Sequence, residues 1–362
     1  MARQGPIFFG LVLTTAIAIV AYQLHQLPVA PFSIGTPARH PIDAMLIAIV
    51  IGLILRNTLR LPPVLGPGIK YAVLSIMPLG IVLMGAKLDF FDVVRTSGTA
   101  LIISVLCVAA ALTLTILICR RVGVGQKLGL LIAVGTAICG GTAIAVAAPV
   151  IEAEDNETAF AIATVTLFGM IAVFVLPLLG TAFGMSQLEF GVWAGTSVHA
   201  TPQVVATGFA YGPQAGDIAT IVKLVRVLLL APVVIGLGIW YGRSKRRRQI
   251  AHVTKAATLR TLFPPFILGF VLLALANTLN VLPDFTLHLE ESPLWHAQEL
   301  PVVLAKVVTW VSTFLLTIAM AGVGLGVDLR GLRSVGMKSL YVGLASSLIL
   351  AAFSYALLSA VL

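Results

Sequence analysis

The chain has 362 residues, 59% of them hydrophobic and only 10% charged, with a mean hydropathy of +1.05. A soluble domain carries about 25% charged residues, so composition excludes that class and reads as an all-α polytopic membrane protein forming a single membrane domain over 1–362. The net charge of +9 does not indicate nucleic acid, because most basic residues lie in short loops between apolar runs and none interleave with aromatics. Cys107, Cys119 and Cys139 fall in or at the ends of those runs. They offer neither a disulfide framework nor metal-ligand spacing.

Eleven apolar segments, each near the roughly 20 residues of a spanning helix, are predicted at 6–24, 41–55, 68–87, 97–119, 127–151, 158–182, 190–211, 215–242, 261–279, 302–327 and 335–361. The first follows Arg3 and is long for a signal peptide, so it is read as a retained helix. Placing the N-terminus in the cytoplasm puts Arg56, Arg60, Arg120, Arg121, Lys127, the Lys245–Arg248 cluster and Arg330 on the cytoplasmic side. Asp89, Asp92, Glu152, Glu154, Asp155 and Glu157 then collect opposite, which matches the positive-inside rule if all eleven segments cross. Eleven divides into an extra N-terminal helix and loop (1–40), a five-helix repeat (41–182) and a second, inverted five-helix repeat (189–362). In the external loop at 280–301, Trp295 reads as an interfacial anchor.

The fifth segment carries Gly135, Cys139, Gly140, Gly141, Thr142 and Pro149. Glycine exposes backbone and proline removes a donor, so the pattern predicts a broken helix of the kind that holds a solute near the bilayer midplane. Close helix packing through small residues is the alternative. The tenth segment ends with Gly322, Gly324 and Gly326, and predicts a matching interruption in the second repeat.

The seventh segment is rich in polar groups for a span: Ser197, His199, Thr201, Gln203 and Thr207, with Pro202 among them. Such groups belong in the bundle interior or against water. No second His or Cys stands at ligand spacing, so no metal is expected. In the eighth segment Lys223 and Arg226 share one helical face. Arg226 lies roughly 15 Å from the helix start, near the bilayer centre. A cation there costs at least about 2.5–3.5 kcal/mol. Either the pair lies on a solute path, or it is satisfied by Asp217 or by helix-end carbonyls. No acidic residue falls at mid-span, whereas cations and helix N-termini do, and that combination suits an anion.

The runs Ile138–Ile144, Val198–Ala206 and Asp217–Arg226, with the late Gly324-Leu-Gly326-Val-Asp328-Leu, together resemble the YeiH-like family, whose members are named as sulfate exporters. The resemblance covers nearly the whole chain. It implies a multi-pass bacterial inner-membrane protein related in fold to the bile-acid, arsenite and cation/proton-antiporter carriers, whose two inverted five-helix repeats have broken helices crossing at the midplane. The family often has an acidic residue directly after the histidine. Ala200 stands there here, so coupling through that carboxylate is not available.

The expectation is a secondary anion transporter, for sulfate or an organosulfonate, rather than an enzyme, with a proton-coupled cation exchanger or an anion channel as the alternatives. Its substrate-binding residues are Cys139, Gly140, Gly141, Thr142, Ser197, His199, Thr201, Gln203, Lys223, Arg226, Gly322 and Gly324. No cofactor is called for. The partners are a small anionic solute and membrane lipid, with no nucleic acid, and a homodimer is left open.

Overall fold

The structure is a computed structural model that describes residues 5–27, 43–244, 264–282, 284–289, 298–328 and 336–361. The cluster Lys245–Arg248 and Trp295 lie outside the described residues. The described chain is almost entirely helical, as composition requires. One correction is a short antiparallel hairpin, β1 (Asp284–Leu289) against β2 (Gln298–Val303), in what the sequence presents as a plain loop.

The helices are α1 (Gly5–His25), α2 (Ala44–Thr58), α3 (Pro63–Lys87), α4 (Phe90–Val122), α5 (Gln126–Ala137), α6 (Gly141–Val150) and α7 (Asp155–Ala182). There follow α8 (Gln187–Ser197), α9 (Thr201–Tyr211), α10 (Pro213–Leu228), which continues as α11 (Leu230–Ser244), α12 (Pro265–Thr278), α13 (Leu304–Gly326) and α14 (Met337–Val361). Among the described residues seven helices are long and apolar enough to cross a membrane, counting α10–α11 as one. Side chains supply the stops. Asp89 caps α4 by accepting from the Phe91 amide at 2.7 Å, and Gly123 ends that helix at φ +71°. Ser186 and Glu189 cap α8 reciprocally.

Two bundles result. In one, α2 packs on α13 and α3 on α12, with α1 alongside. Glycines set both close pairs: a Cβ on Gly52 would stand 2.6 Å from the Ala321 carbonyl, and one on Gly269 would stand 3.1 Å from the Val82 side chain. The other bundle holds α4, α5 to α11 and α14, with Ile103, Leu131, Ile144, Trp193 and Val222 in its core. The two meet where Met170, Val205 and Ile221 join the core of the first.

The middle of the second bundle corrects the expectation that the fifth and seventh segments both cross. The fifth segment does not cross. It enters as α5, turns at Ile138–Gly140 and returns as α6, so that Lys127 Nζ at its start donates to the Glu152 carbonyl at its end, 2.5 Å away. A continuous span would hold those residues some 35 Å apart. The seventh segment does the same as α8 and α9. Gln187 Oε1 at its start accepts from the amides of Gln214 (3.0 Å) and Ala215 (3.2 Å) beyond its end, and Phe190 stacks on Tyr211 with centroids 3.9 Å apart. Two re-entrant helical hairpins therefore stand where two crossings are predicted.

A second correction concerns α13. It runs unbroken through Gly322 and Gly324, because these glycines receive neighbouring backbone instead of interrupting their own. A Cβ on Gly324 would stand 2.9 Å from the Leu53 amide, and one on Gly322 would stand 3.2 Å from the Ile69 carbonyl.

Candidate functional site

The hairpins meet tip to tip. Gly140, at φ +69° and ψ −129°, is the turn of the first. A Cβ added there would lie 3.2 Å from that of Ala200, in the turn of the second. The tip therefore needs glycine both for its backbone and for the approach of its neighbour. At 12 and 11 residues, α5 and α8 reach roughly 17 Å into the bundle, about half a bilayer.

Each tip joins the C-terminus of one half-helix to the N-terminus of the next. The C-terminal carbonyls have no partners within their own helices, and the two buried cations of α10 supply them. Lys223 Nζ donates to the carbonyls of Ile138 (2.6 Å), Val198 (3.1 Å) and His199, so all three of its N–H groups are used. Arg226 donates from Nε to Ala137 (2.6 Å), from Nη1 to Thr196 (2.7 Å), Val198 (3.1 Å) and Gly195 (3.3 Å), and from Nη2 to Thr136. Both side chains are fully buried. Of the alternatives left open by the sequence, the helix-end carbonyls are the partners. Asp217 instead pairs with Lys87 of the other bundle at 2.6 Å.

The polar residues of the second hairpin divide by role. Gln203 braces it: its Oε1 accepts from the Ala200 amide (3.2 Å), and its Nε2 donates to the Thr166 carbonyl on α7 (2.9 Å). His199 Nε2 lies 2.7 Å from Ser347 Oγ on α14, and that hydroxyl donates to the Gly343 carbonyl at 2.7 Å. A hydroxyl has one proton, so this pattern makes His199 Nε2 the donor. Ser197 Oγ is buried with no hydrogen-bond partner among the described residues. Thr201 opens α9, and Thr142, next to Gly141 at the start of α6, is exposed.

The tips thus gather Cys139, Gly140, Gly141, Thr142, Ser197, His199, Thr201, Gln203, Lys223 and Arg226, whereas Gly324 belongs to the α2–α13 interface and Gly322 to the α3–α13 interface. The sequence reading misses the contribution of α14: Ser347 on His199, Ser354 at 2.5 Å from Thr196, and the Ala351 carbonyl accepting from Trp193 Nε1 at 2.8 Å. The seven-residue spacing of Ser347 and Ser354 was the available signal. No cluster of metal-ligating side chains occurs among the described residues.

The profile of a family described as "Conserved hypothetical protein 698" matches residues 9–343. A UPF0324 membrane protein of Agrobacterium fabrum (strain C58 / ATCC 33970) is 32% identical over 355 residues, 98% of this chain and 93% of that protein. A UPF0324 membrane protein of Yersinia pestis is 34% identical over 353 residues, covering 95% and 89%. One of Bacillus cereus (strain ATCC 10987 / NRS 248) is 30% identical over 351 residues, covering 97% and 91%. No solved structure shows significant similarity to the chain. Matched along almost its whole length, the chain belongs to the conserved hypothetical protein 698 family, the YeiH-like family of bacterial membrane proteins that its motifs resemble.

Proposed function

We propose that this protein is a secondary carrier of a small anion, sulfate or an organosulfonate, in the bacterial inner membrane, that it works by alternating access without a cofactor, and that it is not an enzyme. The observation that carries the reading is the charge balance at the hairpin tips. A helix end bears about half an elementary charge. Lys223 and Arg226 bring two positive charges to two half-helix C-termini worth about −1 together, and the N-termini of α6 and α9 add about +1. The surplus is roughly +2, with no carboxylate at the tips among the described residues. Only an anion balances it, and a dianion balances it fully. The cations act indirectly: they cancel the carbonyl ends, and the amides of Gly141 and Thr142, with the hydroxyls of Thr142, Ser197 and Thr201, are left to bind the solute.

The two halves are inverted repeats in circularly permuted order. The first is α2, α3, α4, the α5–α6 hairpin and α7. The second is α12, α13 and α14, completed by the earlier α8–α9 hairpin and α10–α11. Two matches support this: α2 on α13 mirrors α12 on α3, and α4 on the first hairpin mirrors α14 on the second. The topology is nine crossings with a hairpin entering from each face. The bundles join through α7, α9 and α10 and the Lys87–Asp217 pair, while Thr142 and Ala145 on α6 are exposed. That is the form of a carrier closed outside and open toward the cytoplasm.

Thermal stabilisation of the purified protein across a panel of small anions tests the reading. Sulfate or a sulfonate is expected to raise the unfolding temperature, while chloride at equal ionic strength leaves it unchanged. Equal effects from all salts would remove the reading.

A further inference from the structure

A cleft of about 450 Å³ opens between α4, α5 and α11, away from the hairpin tips. Its deep part is apolar, walled by Leu112, Ile116, Leu130, Val134, Val233 and Leu237. It continues into a second hollow of about 290 Å³ that shares Ile116, Arg120, Leu130 and Trp240 with it and ends at Gln126 beside the α4–α5 turn. The combined groove is thus greasy at depth and polar at its mouth. That gradient follows a phospholipid, with acyl chain inward and headgroup at the surface. It does not follow a protein helix, which presents one apolar stripe along its length.

We propose that this groove binds an anionic phospholipid of the cytoplasmic leaflet, with Arg120 on its phosphate. Arg120 lies in the last turn of α4, on the basic face that the positive-inside rule assigns to the cytoplasm. No carboxylate among the described residues pairs with it. An unpaired guanidinium at headgroup depth is a bidentate phosphate ligand. Trp240, 47% exposed at the mouth, is the amphipathic ring that sits at that level. Gly236 shapes the hollow, since a Cβ built there meets nothing within 4 Å. The floor, Leu130 and Val134, belongs to α5, whose C-terminal carbonyls are held by Arg226. An acyl chain in the groove therefore rests on the first hairpin.

The test is native mass spectrometry of the protein released from nanodiscs of equal phosphatidylglycerol and phosphatidylcholine. The wild type is expected to retain phosphatidylglycerol preferentially. Arg120→Gln lowers that retention roughly tenfold, and Gly236→Phe, whose Cβ enters open space, fills the groove and lowers it comparably at an unchanged unfolding temperature. Arg121→Gln, on the neighbouring exposed position, leaves it intact. Equal retention of the two lipids overturns the proposal, as does a preference that survives both Arg120→Gln and Gly236→Phe.

Discussion

Lys223 and Arg226 show how a buried charge is tolerated where hydrocarbon surrounds it. Eight hydrogen bonds run from the two side chains to carbonyls of the hairpin tips. Each carbonyl left bare costs about 1–3 kcal/mol. Arg226→Met is therefore expected to destabilise the protein on the order of 3–5 kcal/mol, the scale for breaking a buried charged network. Thermal unfolding in detergent checks this. A variant that unfolds within a degree or two of wild type and has lost only anion binding would place Arg226 on the solute itself. At Gly140 the prediction is geometric: its φ of +69° and the 3.2 Å approach to Ala200 make Gly140→Ala strained by about 1–3 kcal/mol and push the tips apart. Its anion-induced stabilisation should shrink while Gly141→Ala, which meets only Ile162 at 3.7 Å, is milder. Equal effects at the two glycines would contradict the tip geometry.

At the scale of elements, the break at Gly140 was legible because three glycines in an apolar run forbid a regular helix. The direction of the chain after the break was not. Both arms are apolar, and a kinked crossing and a hairpin have the same composition. Loop charge could not decide either: two hairpins restore the parity that one would spoil, so the basic residues fall on the same face under both topologies, and acidic residues weigh little in that rule. Only 152–157 and 183–189 change sides, and neither loop carries a basic residue. Asn156→Cys is thus expected to react with an impermeant thiol reagent from the face that carries Arg120, in inside-out vesicles. Labelling from the opposite face would restore the eleven-crossing arrangement. The glycines of α13 misled for the converse reason: Gly322 and Gly324 repeat the look of a break, yet small residues also let α2 and α3 approach, and that use prevails. His199 was visible as a polar group in a span, but its partner Ser347 on α14 lies 148 positions away and no local pattern connects the two; Thr196 and Trp193, which the sequence does not single out, find partners on the same helix.

For the whole molecule, the proposed alternating access would move the two bundles against each other. Lys87 and Asp217 join them at 2.6 Å, with Lys87 also 5.5 Å from the centroid of the Phe209 ring. Both side chains are only partly exposed, so water and salt screen the pair less than a surface ion pair, and under the proposed mechanism it would separate when the outer side opens. Lys87→Cys with Asp217→Cys is expected to cross-link readily with a short reagent and to arrest transport, with activity returning on reduction. Free transport through the cross-linked protein would show that the bundles do not part there.

The central claim is that the facing hairpin tips bind an anion between half-helix N-termini. Uptake of labelled sulfate and of a labelled sulfonate by proteoliposomes, wild type beside Gly141→Val, tests it most directly. Saturable anion uptake that the valine abolishes at unchanged protein stability is the predicted result. Sodium or proton exchange with no anion movement, or anion uptake indifferent to the valine, would contradict it.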